Sequence, residues 1–354
     1  MSRTLHIRHL GVFVCCLATL AAAGEEKLVP VLESGEGGAK LREPFGVDFD
    51  RAGNLYLIEF AGHRVRKLDI KGTLHTLAGT GEKGYAGDEG PAAKALFHSM
   101  HSLAVDPNGD IYLADTWNNR VRKIDARSGK IATIAGTGEK GFGGDGGPAT
   151  KAKFGGIYCL ALNAKGEKLY LADLDNRRIR AVDLRRGTVE TVAGNGERGV
   201  PQDGADACNA PLVDPRAVAV DRKGNLYILE RGGHALRVVD AEGKIRTVAG
   251  TGKKGFDGDG GDARKAAFNG PKHLCVDGHG DVLIADTENH AIRKYLPGEN
   301  KVIRIAGSGR MGRAGLNGPP LEAQLNRPHG VTVRSDGVLF IADSGNDRIL
   351  KIAK

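Results

Sequence analysis

The sequence predicts an all-β chain closed into a ring of six repeated units, and three observations carry that prediction. An acidic residue ends an apolar run at Glu59, Asp115, Asp173, Glu230, Asp286 and Asp343, at steps of 56, 58, 57, 56 and 57 residues. The pattern Ala-Gly-x-Gly starts at Ala78, Ala135, Ala193, Ala249 and Ala306 and keeps the same period. Glycine is abundant, at 53 of 354 residues, while aromatic residues make up only 5%, which suits short strands and tight turns better than a bulky helical core. Periods of this length mark propellers, solenoids or arrays, so the fold is read unit by unit.

The second copy shows the unit. Residues 102–106 (SLAVD) form a short apolar strand, and Pro107-Asn108-Gly109-Asp110 is a turn with Asn-Gly chemistry. Residues 111–115 (IYLAD) make a second strand, followed by the polar loop Thr116-Trp117-Asn118-Asn119. Residues 121–125 (VRKID) alternate apolar and charged side chains, as a half-exposed strand does. Residues 130–135 (KIATIA) are a less regular fourth strand, expected on the outside, and a Gly-rich link over 136–154 leads to the next copy. Four antiparallel strands and a connection to the next unit define a propeller blade.

The two ends complement each other. The sixth copy stops after its third strand, residues 348–354 (RILKIAK), while residues 27–38 (KLVPVLESGEGG) read like the fourth strand and link start at 73–84 (TLHTLAGTGEKG). The expected fold is therefore a six-bladed β-propeller of four-stranded blades, its ring closed by the amino-terminal strand completing the last blade. Closure removes the open edges that would otherwise recruit other chains.

Residues 1–23 differ from the rest. Arg3 and Arg8 precede an apolar run over 10–20, and Ala21-Ala22-Ala23 offers a small-residue cleavage site, which is the layout of a secretory signal peptide. The expected organisation is a signal at 1–23 and a single propeller domain at 24–354, in a secreted or periplasmic, monomeric protein with no later membrane span. An uncleaved anchor is the alternative. The formal charge of +8 becomes +6 without Arg3 and Arg8, which favours anionic partners, while export argues against nucleic acid. Outside the signal, which holds Cys15 and Cys16, only Cys159, Cys208 and Cys275 remain, with the spacing of neither a disulfide framework nor a zinc knuckle.

The runs PNGDIYLADTWNNRVRKID, GEKLYLADLDNRRIRAVD, GDVLIADTENHAIRKY and DGVLFIADSGNDRILKI resemble NHL repeats, over residues 28–354. The links TIAGTGEKGFGGDGGPATKAKF and TVAGTGKKGFDGDGGDARKAAF are similar to those of bacterial NHL proteins and of related propellers on animal cell-surface proteins. The resemblance implies a six-bladed propeller of the bacterial, exported type, in a family made up mainly of interaction scaffolds. Its partner would be a protein, a glycan or a small anionic ligand. Animal NHL proteins that bind RNA give the reading for a chain that is not exported.

Motifs that repeat with the blades are read as architecture. Five links contain Gly-x-Gly-x-x-Gly, beginning at Gly79, Gly136, Gly194, Gly250 and Gly307. Each lacks the strand–turn–helix setting of a dinucleotide site, so each is read as a turn. The Gly-Asp-Gly-Gly stretches at 144–147 and 258–261 lack the spaced carboxylates of a calcium loop and are read as Asp-stabilised turns. The six ring carboxylates are expected to hold the amides of the loop that follows, and Arg64, Arg120, Arg178 and Arg348, five residues on, to pair with them.

A site has to break the repeat, and it breaks where the first strands begin. Phe45, His101, Tyr158, Arg216, Lys272 and His329 occupy equivalent positions, followed by Gly46, Ser102, Cys159, Ala217, His273 and Gly330. In a propeller these positions face the central channel at one mouth, where ligand sites concentrate. Phe45, His101, Tyr158, Arg216, Lys272, His273 and His329 are the candidate ligand-binding residues, with a composition suited to a carboxylate or phosphate. The segments MHSLAV and PHGVTV also resemble those carrying zinc-ligand histidines in peptidyl-amidoglycolate lyases, and ILERGGH resembles the segment of a third. That resemblance implies a metal set of His101, His329 and Glu230 for a lyase or hydrolase. The lyases' catalytic Tyr and Arg find no match residue by residue, and the Glu, Asn and Asp set of gluconolactonase-type propellers is not found at channel positions. Zinc or calcium is the cation such chemistry would use.

Overall fold

The fold is that of a computed structural model, which describes residues 25–34 and 40–354. The expected signal at 1–23, with Cys15 and Cys16, lies outside the described residues. Among those described, no helix is long and apolar enough to cross a membrane.

Six antiparallel sheets are arranged as the blades of a propeller. In blade 2 the strands Ser102–Val105, Ile111–Asp115, Arg120–Ile124 and Ile131–Ala135 pair in sequence order, with the irregular fourth strand at the free edge. The first strand of each blade contacts those of both neighbouring blades, and the circuit is completed between blades 6 and 1. Closure is as the ends predicted: Lys27–Glu33 pairs antiparallel with Arg348–Ala353 as the outer strand of blade 6. Blade 4 adds one feature, a two-residue strand at Ala205–Asp206 on its outer edge.

The core lies between blades. Phe97, Phe154, Leu212, Phe268 and Leu325, at equivalent points of successive links, are fully buried against the sheets they separate. Short hydroxyl side chains latch three of the blades to the next. The Thr116 hydroxyl donates to the Ile157 carbonyl (2.7 Å), Thr287 to Pro328 (2.8 Å) and Ser344, across the closure, to Pro44 (2.6 Å). At Gly136, which opens a Gly-x-Gly-x-x-Gly link, φ is +96° and a Cβ would lie 2.3 Å from the Asn119 carbonyl oxygen. Glycine is needed there for close backbone approach, so the motif is a turn.

The acidic ring is architectural, but not in the way its spacing predicted. All six carboxylates are fully buried, and each accepts a backbone N–H from before its blade's first strand, as Asp115 does from His98 (2.9 Å) and Asp343 from Asn326 (2.6 Å). The following loop contributes a side chain: the Asn118, Asn176, Asn289 and Asn346 amides donate to their ring aspartates. The arginine pairing is corrected too. Arg64 and Arg348 bind their ring acids, whereas Arg120 and Arg178 turn to the link carbonyls of Thr137 and Asn195. The ring partners in blades 2 to 5 lie seven residues on, at Arg122, Arg180, Arg237 and Arg293. Three of these also reach an aspartate of the preceding link: Arg122 to Asp88 (2.7 Å), Arg180 to Asp145 (2.6 Å) and Arg293 to Asp259 (2.8 Å). The Gly-Asp-Gly-Gly stretches therefore supply clamp carboxylates, on turns whose glycines at 144, 146, 258 and 260 have positive φ.

Candidate functional site

Each first strand begins at the same end of the ring, so its leading side chain is delivered to one mouth of the channel. Phe45, His101, Tyr158, Arg216, Lys272 and His329 converge there around a basin of about 410 Å³, within the range of small-ligand sites. Phe60, Trp117, Arg231 and Arg327 also line it. None of these four stands at the start of a first strand, so the alignment of strand starts does not reach them. The signal was present one and two residues past each ring acid, where Phe60, Arg231 and Trp117, the only tryptophan of the chain, break the repeat.

One wall of the basin is a run of stacked rings. Phe45 is sandwiched between Phe60 and His329, with centroids at 4.5 and 3.9 Å and near-parallel planes. His101 packs in T-shaped contact with Phe45, Phe60 and Tyr158, and the Arg216 guanidinium covers the Tyr158 ring at 4.6 Å. Such packing fixes rotamers and pre-forms the basin before any ligand arrives.

Both mouth histidines are neutral. Burial and the charges of Arg216 and Lys272 hold His101 and His329 well below the usual imidazole range. His101 Nδ1 lies 3.1 Å from the Ser99 carbonyl oxygen, and His329 Nδ1 lies 2.8 Å from that of Arg327. A carbonyl only accepts, so Nδ1 carries the proton in each ring and Nε2 is left as an acceptor.

The cations differ in how they are matched. Arg231 is paired with Asp214 (2.8 Å), while Lys272 (2.6 Å) and Arg327 (2.9 Å) share Glu288. Arg216 is 4% exposed and donates to the Tyr158 carbonyl (3.2 Å), yet among the described residues no carboxylate lies within ion-pair distance of it. Burial pulls its pKa down to about 10, which leaves it charged at neutral pH. A buried, unmatched guanidinium costs stability, and such costs concentrate where a ligand supplies the missing charge.

Two of the expected site residues are elsewhere. His273 does not join the mouth group. It lines a separate cavity of about 380 Å³ at the other end of the channel with Asp48 and Cys275, and its Nδ1 faces the Val331 N–H at 3.4 Å. Successive strand residues point in different directions, so Lys272 and His273 face different spaces. Glu230 is also away from the mouth. Fully buried as the ring acid of blade 4, it is held by Arg237 (2.7 Å) and the Val213 N–H (2.7 Å). The set His101, His329 and Glu230 therefore does not converge, and among the described residues no group of three acidic, histidine or cysteine side chains has metal-site geometry. The residues do not fit the zinc that the lyase resemblance implied.

The fold and the basin define a class: a six-bladed propeller with a pre-formed, cationic site at one channel mouth. Within that class the chain carries NHL repeats. The NHL-repeat model matches residues 97–124, 268–295 and 325–352, and that of the teneurin NHL domain matches 183–255. The chain is 28% identical over 286 residues to Suppressor of Quenching 1, chloroplastic, of Arabidopsis thaliana, a match covering 77% of this chain and 26% of the relative. It is 29% identical to NHL repeat-containing protein 2 of Bos taurus, covering 75% and 40%. The chain thus spans less than half the length of these curated relatives. Among solved structures, an auxiliary nutrient binding protein from Bacteroides thetaiotaomicron superposes with a TM-score of 0.66 at 17% identity, covering 93% of this chain and 76% of that one. A streptogramin B lyase superposes at 0.54 and 13%, covering 93% and 98%. At these identities the structural likeness speaks for the fold.

Proposed function

We propose that the protein is an exported, monomeric binding propeller whose channel mouth receives the anionic group of a small ligand or glycan without converting it. The observation that carries this reading is Arg216, a cation buried in the basin wall with no carboxylate partner among the described residues. A ligand carboxylate or phosphate would supply that partner, with Lys272 beside it and the stacked rings as a fixed wall. The layout of residues 1–23 supports export, and the nutrient-binding function named for one fold neighbour supports a binding role. A lyase reading has one observation in its favour, the free Nε2 acceptors of His101 and His329. Rings held well below the usual imidazole range are weak bases, so binding is the better account.

Trp117, half exposed on the rim, is a built-in reporter. Small carboxylates should change its fluorescence saturably, and their neutral amides should not. Arg216→Met should lower the affinity at least about tenfold, the scale of a lost charge-assisted hydrogen bond. The same variant should melt no lower than the parent protein, because a buried unmatched charge has been removed. Unchanged affinity in Arg216→Met would falsify the mouth reading.

A further inference from the structure

The basin does not end at its rim. Arg231 and its partner Asp214 also border a second cavity of about 450 Å³, which runs outward between blades 3 and 4. Four cations line that groove against two carboxylates. Lys140 is taken up by Asp175 (2.7 Å) and Arg231 by Asp214 (2.8 Å). The Arg177 side chain makes one hydrogen bond, to the Gly196 carbonyl (3.2 Å), and neither it nor the exposed Arg198 has a carboxylate partner among the described residues. The groove thus repeats the charge imbalance of the mouth and is joined to it through Arg231. It also breaks the blade pattern, since Arg177 stands where other blades have His63, Asn119, His234, His290 and Asp347.

We infer that the ligand is an extended acidic oligosaccharide, a chain of uronate units, with one carboxylate on Arg216 in the mouth and later carboxylates on Arg177 and Arg198. This deepens the mouth reading and rests on it. Spaced unmatched arginines along the joined basin and groove call for a ligand whose anionic groups recur along its length. The choice of a sugar over an acidic peptide comes from the neutral partners. His101 and His329 each offer an Nε2 lone pair, which a hydroxyl donor satisfies, and uronates carry several hydroxyls beside each carboxylate. Trp117 stands at the rim with its ring about half exposed, an apolar platform for the C–H face of a sugar ring.

Galacturonate monomer, trimer and hexamer, titrated against the full protein by calorimetry at low salt, test this. Monomer binding should depend on Arg216, and the trimer should bind about tenfold tighter as the second cluster engages. Arg177→Ala and Arg198→Ala, on the partly exposed and exposed groove wall, should leave the monomer affinity unchanged and erase the gain with length. Affinity independent of length, or a gain that survives both groove variants, overturns the extended track and leaves the mouth intact. Monomer binding that ignores Arg216→Met overturns the mouth reading itself. An equal gain along oligoglutamate, or with the methyl-esterified uronate chain, overturns the assignment to an acidic sugar.

Discussion

Lys272 and Arg216 both bring positive charge to the mouth, but they hold it over different ranges of pH. Burial pulls Lys272 down to about 8 despite the carboxylate of Glu288 at 2.6 Å, whereas Arg216 is drawn only to about 10. For a base with a lowered pKa the charge is complete below that value and is lost as pH rises through it. Carboxylate affinity should therefore be highest at and below neutral pH and fall by about tenfold as pH rises through about 8 and Lys272 deprotonates. Lys272→Arg should remove that fall until Arg216 begins to titrate. Titration of galacturonate against both proteins across the alkaline range checks this, and identical profiles would exclude Lys272 from the site. The contrast between these cations marks a limit of the sequence. Six side chains at one mouth followed from counting blade positions. The pairing of Lys272 with Glu288, and the isolation of Arg216, depend on which loop residues lean over the basin, and spacing along the chain carries no record of that.

Within a blade, the ring acid and its arginine act as a clamp between the strands and the incoming link. The period marked these acids, but the sequence pointed to the wrong arginine in blades 2 and 3. Asp115 lies opposite Arg120 in the sheet and diagonal to Arg122, so both project to the same face. Arg120 sits at the end of the strand, where the Thr137 carbonyl and the Tyr85 ring engage it. Arg122, two residues deeper, is fully buried and bridges Asp115 to Asp88. Depth between blades decides the pairing, and it is a tertiary property. Burial pushes Asp115 up to about 6, so it is still ionised at neutral pH and needs its donors. Arg122→Met should then cost about 3–5 kcal/mol by leaving a buried carboxylate without its cation, and Asp115→Asn in the same chain should recover part of it. Asp88→Asn, at the partly exposed end, should cost under about 1 kcal/mol. Urea unfolding at neutral pH measures all three, and an Asp88→Asn cost equal to that of Arg122→Met would place the clamp's strength at its outer end instead.

At the scale of the whole ring, closure was the most legible feature because it is written twice, as a missing fourth strand at one end and a spare one at the other. The opposite end of the channel was the least legible. His273 follows Lys272 in the sequence, yet side-chain alternation within the first strand places it in the far cavity beside Cys275 and Asp48. The joint itself joins two distant parts of the chain. Leu28 is fully buried with Leu283, Ile292, Leu325 and Val331, and its backbone exchanges hydrogen bonds with Asn317 and Gly318 of the last link. Residues 25–34 therefore hold blade 6 by sheet pairing and by a core side chain at once. Leu28→Ala should cost about 2–5 kcal/mol, as for other buried leucines. Removal of residues 25–34 should do more, because it bares the Arg348–Ala353 strand as an open edge able to pair with another chain. The truncated protein should unfold at lower urea and self-associate on a sizing column, and a peptide of residues 25–34 added in excess should restore both the midpoint and the monomer. A truncated chain that keeps its midpoint and stays monomeric without the peptide would mean that the ring is held by its inner strands and blade-to-blade latches alone.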